Sequence, residues 1–206
     1  MKPAHKQVGS GCDVYGEQRL QLAQHIRPLL HDWCWWIENG TLLGAMRNGA
    51  FIPHDDDFDM AVLVEPDRTV SGVMAALHAR LVAELPAPYQ ARHVRTYADK
   101  LEVYDPTAGK YALPPMYGGA DYHHVSVDIQ MYTQDADGIV RACYRAVPHR
   151  VEIPRTVLLP LGSVVLEGVA FPCPHDATAY LVATYGDISP TAVFDPATGL
   201  YRTPKI

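Results

Sequence analysis

Several features that would assign a protein to a common class are missing from this sequence. Its four cysteines, at positions 12, 34, 143 and 173, are widely spaced and form no Cys-x-x-Cys pair, which argues against a zinc ribbon or a disulfide framework. No apolar run is long enough to span a bilayer, and residues 1–15 contain no apolar signal-peptide core. We therefore expect a cytoplasmic protein with no transmembrane segment, which contacts membranes at most peripherally.

The sequence also has no excess of positive charge. Asp and Glu number 23 against 17 Lys and Arg, which gives a formal net charge of -6. A chain with this balance has no overall attraction to nucleic acid or anionic lipid, so nucleic acid is not an expected partner. Of the 206 residues, 48% are hydrophobic and 19% charged, which is typical of a globular protein with a sizeable core.

Four catalytic signatures are absent as well. The sequence has no GxxxxGK, GxGxxG, GxSxG or HExxH motif, so P-loop, Rossmann, serine-hydrolase and zincin mechanisms have no support. A calcium-binding EF-hand loop that starts at Asp55 would need Gly at position 60 and Glu at position 66, where the chain has Met60 and Pro66. Any metal chemistry must therefore come from a different arrangement.

No internal repeat and no long Pro/Gly/Ser linker divides the chain. We expect one domain over residues 16–190, between a flexible segment (1–15) and a tail (191–206). The apolar spacing predicts helices over 16–32, with a kink or early end at Pro28, over 41–46, after Pro66 and over 176–185. It predicts strands over 33–37, 58–64, 93–104, 123–132 and 139–144, with a hairpin turn at 135–138 and a Pro/Gly-rich excursion over 105–121.

An acidic run, Asp55-Asp56-Asp57-Phe58-Asp59, lies at the entrance of the predicted strand 58–64. In an extended chain alternate residues point to the same side, so Asp57 and Asp59 share a face, together with Asp55. Carboxylates on one face repel each other, and a hard divalent cation such as Mg²⁺ relieves that repulsion. The alternative is a solvated acidic turn, which is the better interpretation of an isolated Asp-x-Asp.

Two other segments favour the metal site. Gly40-Thr41-Leu42-Leu43-Gly44 is a glycine-bounded turn from a strand into a helix, whose backbone N–H groups can receive a phosphate. Val127-Asp128-Ile129 places one carboxylate in an apolar strand, and a buried carboxylate must be paired, protonated or bound to metal. Asp128 therefore supplies the third ligand. Arg47, after the turn, and Lys100, on a predicted central strand, are candidates for phosphate contact, with a surface ion pair as the alternative for each.

These pieces occur in a specific order along the chain. The sequence reads GTLLGAMRNGAFIPHDDDFDM, then VSVDIQ, then VAFPCPHDATAYLVATYGD, and it closely resembles the LicD/fukutin family of phosphotransferases from about His31 to Asp187. The resemblance implies an α/β (α+β) fold, with a nucleotidyltransferase-like mixed sheet flanked by helices, and metal ligands at Asp57, Asp59 and Asp128. One position departs from the family: His54 stands where Trp is usual.

The resemblance also implies the transfer of a phospho-alcohol, such as phosphocholine or a polyol phosphate, from a CDP-linked donor to a sugar or glycan hydroxyl. We expect the aspartates to hold Mg²⁺ or Mn²⁺ against the donor's diphosphate, with Asp128 also taking the acceptor's proton. The expected substrate contacts are Gly40, Thr41, Gly44, Arg47, Asp55 and Lys100. The same carboxylates would serve a nucleotidyltransferase that moves NMP to a small-molecule or sugar acceptor, and the fold would also suit a non-catalytic nucleotide- or glycan-binding module.

Overall fold

The computed structural model of the chain describes residues 11–94, 98–112, 121–143, 151–195 and 197–204. Its helices are α1 (Cys12–Ile26, followed by a 3-10 turn over Arg27–Leu30), α2 (Asn39–Asn48), α3 (Val70–Glu84), α4 (Arg155–Leu158) and α5 (Ala177–Tyr185). Its strands are β1 (Cys34–Ile37), β2 (Asp59–Val64), β3 (Gln90–Val94), β4 (Lys100–Tyr104), β5 (Lys110–Ala112), β6 (Asp121–His123), β7 (Ser126–Gln134), β8 (Ile139–Ala142), β9 (Glu152–Pro154), β10 (Gly162–Leu166), β11 (Val169–Cys173), β12 (Val193–Asp195) and β13 (Leu200–Arg202).

Seven of the strands form one mixed sheet, which confirms the expected α/β architecture. Five follow the order β1-β2-β7-β4-β3, while β8 pairs with the C-terminal end of β7 and β9 pairs with β8. The central pair, β2 and β7, is parallel, and the remaining pairs of this sheet are antiparallel. The hairpins β5–β6, β10–β11 and β12–β13 form separate two-stranded sheets.

Much of the sheet is apolar because its central strands are covered on both faces. In β2, every residue from Met60 to Val64 is buried, as expected for a central strand. Helix α3 is capped by Thr69, whose side chain accepts a hydrogen bond from the Gly72 N–H, and it buries Val73, Met74, Leu77 and Leu81. Across the sheet, the fully buried Trp36 ring lies 5.2 Å from the Tyr132 ring and 6.4 Å from the Tyr180 ring.

Two predicted strands are wrong as single elements. The predicted strand 93–104 is an antiparallel pair, β3 and β4, with residues 95–97 outside the described residues. The connecting segment 95–99 contains no Gly, Pro or Asn to mark a turn in the sequence, so the two strands read as one. The predicted strand 123–132 is interrupted at residues 124–125, which separate β6 from β7. Because β6 pairs with β5, part of the Pro/Gly-rich excursion forms a hairpin, while residues 113–120 lie outside the described residues.

The ends of the chain also differ from expectation. Helix α1 begins at Cys12, inside the segment expected to be flexible, while residues 1–10 lie outside the described residues. It gives way to the 3-10 turn one residue before Pro28, as proline predicts. The turn at 135–138 and helix α5 are confirmed, with residue 144 outside the described residues. After residue 190, where a tail was expected, β12 and β13 form a hairpin.

Candidate functional site

The parallel pairing of β2 and β7 brings three carboxylates together. In this register Asp59 lies directly opposite Asp128, and the Asp128 N–H donates to the Phe58 carbonyl oxygen at 2.8 Å. Asp57 stands on the approach to β2, so its side chain joins the pair. Carboxylate oxygens of Asp57, Asp59 and Asp128 lie within 4.8 Å of one another. The structure thus assembles the three residues that the sequence predicts as metal ligands.

The carboxylate cluster concentrates negative charge in a small volume. Asp128 is buried, whereas Asp57 and Asp59 are half-buried. Burial, followed by the neighbouring Asp57 carboxylate, raises the pKa of Asp59 well above its usual range. A divalent cation would remove this penalty, and several carboxylate oxygens within reach of one point are the donors that Mg²⁺ and Mn²⁺ accept. The residues therefore fit the metal that the sequence predicts.

The acidic loop continues this cluster away from the sheet. Asp55, Asp56 and Asp57 also offer oxygen atoms within 4.8 Å of one another. Asp55 is buried, and its carboxylate packs against the start of α2: a Cβ atom on Gly40 would lie 2.1 Å from Asp55 Oδ2. Only glycine leaves room for this approach. A carboxylate is also favoured at a helix N-terminus, where the peptide dipoles are positive.

The glycine turn forms the first half of α2, which begins at Asn39 rather than at Thr41. The Thr41 hydroxyl is buried and accepts a hydrogen bond from the Asp59 N–H at 2.9 Å, so it ties the helix to the first residue of β2. A Cβ atom on Gly44 would lie 2.5 Å from the Ala50 carbonyl oxygen, so this glycine allows the following loop to return closely. Thr41 and Gly44 thus position the site in this structure, and their contact with substrate stays a prediction.

The two predicted basic residues have different surroundings. Lys100 is buried and forms an ion pair with Asp128, whose oxygens also accept hydrogen bonds from the Tyr122 hydroxyl at 3.2 Å. Lys100 therefore belongs to the site. Arg47 is exposed, and its guanidinium donates to the carbonyl oxygens of Ile188 and Ser189. Arg47 fastens the end of α2 to the segment after α5, and its predicted phosphate contact stays a prediction.

A row of charged residues continues the site across the sheet. Asp59 on β2, Asp128 on β7, Glu102 on β4 and Arg92 on β3 lie opposite one another in register, on one face. Glu102 is fully buried and forms an ion pair with Arg92. Burial, then the Asp128 carboxylate, raises the pKa of Glu102 to about 7. The site is therefore the acidic end of a polar row rather than an isolated pocket.

Glu102 was not among the predicted site residues, although the sequence contains a signal for it. Leu101-Glu102-Val103 interrupts an apolar strand with a carboxylate, as Val127-Asp128-Ile129 does. His123 lies 3.3 Å from Glu102, measured from Nδ1 to Oε1, and burial lowers the pKa of this imidazole to about 4. His123 is therefore neutral near pH 7, and its contact with Glu102 is a hydrogen bond.

A second buried carboxyl, on Glu38, lies beneath the glycine turn. Its Oε2 atom accepts hydrogen bonds from the Tyr132 and Tyr180 hydroxyls, the latter at 2.9 Å. Within the described part of the chain, its Oε1 atom is buried without a hydrogen-bond partner. Burial raises the pKa of Glu38 to about 7. This residue directly follows the apolar strand β1, and that position was the only sequence signal for it.

Comparison with known proteins assigns the chain. A sequence model described as LicD/FKTN/FKRP, nucleotidyltransferase domain, matches residues 33–176, which is well over half of the chain. The chain belongs to the LicD/FKTN/FKRP family. The match includes the glycine turn, the acidic run and Asp128, so the resemblance seen in the sequence is confirmed. Membership of the LicD/FKTN/FKRP family supports a transferase.

Individual relatives share only short stretches with this LicD-family chain. Uncharacterized proteins of Rickettsia prowazekii (strain Madrid E) and Rickettsia typhi (strain ATCC VR-144 / Wilmington) are each 52% identical to it over 33 residues, 16% of this chain. These stretches cover 12% and 11% of the two relatives.

Two solved structures are more distant. The CD-NTase CdnG of Bradyrhizobium diazoefficiens, in complex with GTP, has 14% identity and a TM-score of 0.37, over 73% of this chain and 41% of that protein. DncV of Vibrio cholerae, in a 3'-deoxy ATP bound form, has 15% identity and a TM-score of 0.33, over 59% of this chain and 30% of that protein.

Among the residues that the structure describes, no helix combines the length and the apolar composition that a membrane span requires.

Proposed function

We propose that the chain is a Mg²⁺-dependent phosphotransferase that moves a phospho-alcohol from a CDP-linked donor to a sugar or glycan hydroxyl. We expect Mn²⁺ to support the same activity. The observation that carries the proposal is the convergence of Asp57, Asp59 and Asp128, whose carboxylate oxygens lie within 4.8 Å of one another. Family membership supports a transferase at this position. The CDP-linked donor, with phosphocholine or a polyol phosphate as the transferred group, rests on the resemblance to LicD/fukutin phosphotransferases.

The three aspartates are the residues that would hold the metal. When bound, the ion supplies positive charge that stabilises the donor's diphosphate and the charge that develops on the leaving phosphate. Asp57 lies on the loop before β2, Asp59 is the first residue of β2 and Asp128 lies on the adjacent strand β7, so three backbone segments present the oxygens. Asp57 and Asp59 remain partly exposed, which would leave room for substrate oxygens at the cluster.

Asp128 has a second task in this proposal, which is to orient the acceptor hydroxyl and take its proton. The Lys100 ammonium and the Tyr122 hydroxyl both contact the Asp128 carboxylate. The two contacts fix the direction of the carboxylate, so the attacking oxygen would be held in one orientation.

We also propose a cytoplasmic location. The four thiols, at positions 12, 34, 143 and 173, are free. Free thiols in a chain of this size are typical of a reducing compartment, which supports a cytoplasmic location.

The test is a donor panel followed by ³¹P NMR. CDP-choline, CDP-ribitol, CDP-glycerol, CTP and ATP are each supplied with Mg²⁺ and a hydroxyl acceptor. We expect consumption of a CDP-linked alcohol with release of CMP, and no release with Asp59→Asn. Pyrophosphate release from CTP, with no CMP from any CDP-alcohol, would instead establish NMP transfer by the same carboxylates. Binding of nucleotides without turnover of any donor would indicate the non-catalytic module.

A further inference from the structure

The middle of α1 contains an arginine in an unusual position. Arg19 is fully buried, although arginine is rarely buried unless its charge and donors are satisfied. It lies outside residues 33–176, which match the family model. Its burial therefore needs an explanation from the contacts of its guanidinium.

The guanidinium joins the two segments that carry the proposed metal ligands. Nε and Nη2 donate to the His124 carbonyl oxygen at 3.0 and 2.6 Å, and His124 lies on the turn that leads into β7 and Asp128. Nη1 donates to the Asp55 carbonyl oxygen at 3.1 Å, two residues before Asp57. One planar group thus bridges the acidic loop and the entrance of β7, ahead of the register of β2 and β7, which begins at the pair Asp59 and Asp128.

Neighbouring atoms of α1 reinforce the same bridge. Arg19 Nη1 lies 3.2 Å from the Cys12 sulfur, which in turn lies 4.0 Å from the Asp57 carbonyl oxygen. The Cys12 N–H donates to the Asp55 carbonyl oxygen at 2.7 Å. On the other side, the Tyr15 ring stacks on the His124 ring, with centroids 5.1 Å apart. The acidic loop and the β7 entrance are therefore both held from one helix.

Charge alone does not explain this arrangement. A fixed positive charge beside a cation site repels the cation, so removing it should tighten metal binding if electrostatics dominated. The guanidinium instead directs its donors at backbone carbonyls on both sides of the site, which favours a geometric role. Groups that orient metal ligands without touching the metal commonly change affinity by about 10–100-fold when removed.

We propose that Arg19 is a positioning residue that sets the separation between the Asp57–Asp59 pair and Asp128, and thereby the metal affinity of the site. The proposal rests on the proposed function in assuming that these carboxylates bind a divalent cation. It assigns a role to α1, a helix that the family match does not include.

The first experiment measures Mn²⁺ affinity by EPR for the full-length wild type, Arg19→Met and Arg19→Lys. We expect a Kd at least about tenfold higher in both variants, because neither side chain reproduces the fork that spans two carbonyls. Leu22→Ala is the matched control: it removes a fully buried side chain from the same helix, so it should lower the Tm without changing the Kd. Arg27→Met, which loses an exposed contact with the Ala170 carbonyl oxygen, should change neither.

The second experiment is amide hydrogen exchange without metal, which does not depend on the proposed function. Peptides covering residues 53–58 and 121–127 should both exchange faster in Arg19→Met and Arg19→Lys, while Leu22→Ala should not accelerate these two selectively. Tighter or unchanged Mn²⁺ binding in folded Arg19 variants, or unchanged exchange in both peptides, overturns the positioning role. If the wild type binds no Mn²⁺, the proposed function fails, and the exchange data alone decide whether Arg19 fixes the two segments.

Discussion

The site contains several charged side chains close together, most of them negative. Asp57, Asp59 and Asp128 bring three carboxylates into one small volume, and one positive charge, on Lys100, contacts Asp128 directly. Burial and the Asp57 carboxylate raise the pKa of Asp59. The cluster therefore needs a nearby positive charge, such as a divalent cation, to hold its full negative charge. Each carboxylate therefore contributes both a ligand oxygen and a charge.

Replacing any one of these carboxylates by the isosteric amide should abolish most of the activity. We expect Asp57→Asn, Asp59→Asn and Asp128→Asn to fold and to turn over donor at least about a hundredfold more slowly, because each loses a preorganised charge. Asp137→Asn, in an exposed turn, is the control and should keep full activity. The measurement is the initial rate of donor consumption, together with circular dichroism. Near-normal turnover in one variant would remove that aspartate from the site.

The buried carboxyl of Glu38 makes stability depend on pH. Because its pKa is about 7 in the folded protein and about 4.5 when exposed, the folded state binds the proton more tightly. The resulting stabilisation is fully present below about pH 4.5 and is lost as the pH rises through 7, by up to roughly 3 kcal/mol. In Glu38→Gln this dependence should disappear.

Urea unfolding of wild type and Glu38→Gln between pH 4.5 and pH 8 tests this. The wild type should lose stability relative to the variant as the pH rises, and any constant cost of the buried amide cancels in that comparison. Glu17→Gln, at an exposed position on α1, serves as the control and should follow the wild type at each pH. A constant difference between wild type and Glu38→Gln across the range would show that Glu38 is ionised in the folded protein.

At the scale of elements, the docking of α2 onto β2 depends on one hydroxyl. The buried Thr41 side chain accepts the Asp59 N–H at 2.9 Å, which places the helix start beside a metal-ligand candidate. Thr41→Val keeps the shape but removes the acceptor, and losing the acceptor of a buried N–H should cost about 1–3 kcal/mol. Thr41→Ser restores the hydroxyl and should recover most of this loss. Urea unfolding and Mn²⁺ affinity, measured side by side, decide whether the contact also orients Asp59.

Local patterns predicted the elements whose signals are local. β2 is a continuous apolar run, α3 repeats its apolar residues at helical spacing, and the turn at 135–138 contains Asp and Gly, so each was visible in the sequence. The β10–β11 hairpin was missed because much of it is exposed, which gives its strands no strong alternation of apolar and polar residues.

The same distinction applies to the site. The three aspartates interrupt apolar strands or crowd one another, and both signals are local. The contacts of Arg19 join it to carbonyl oxygens 36 and 105 residues away. Every residue has a backbone carbonyl, so the residue type does not show which one accepts the hydrogen bond. No local pattern around Arg19 in the sequence predicts these contacts. Its role became visible only when the fold had placed α1 beside both segments.

At the scale of the whole molecule, metal binding should stabilise the fold. A cation that binds the folded but not the unfolded chain adds about 2.7 kcal/mol at a concentration 100 times its Kd. We expect saturating Mn²⁺ to raise the Tm of the wild type by several degrees and to leave Asp59→Asn unchanged. Differential scanning fluorimetry with a metal-ion series gives the result, and EDTA should reverse it. An equal shift in Asp59→Asn would indicate that the ion binds elsewhere.

The parallel register of β2 and β7 also governs when the site can exist during synthesis. Asp57 and Asp59 leave the ribosome long before Asp128, and β7 must travel back past α3, β3 and β4 to reach its place beside β2. Contacts between distant parts of a chain form slowly, because the intervening loop must close first. A nascent chain that stops before β7 therefore carries an acidic loop with no strand to complete it. High metal affinity would therefore indicate that β7 has paired with β2. A stalled or truncated product that lacks β7 should bind the ion no better than any exposed acidic turn.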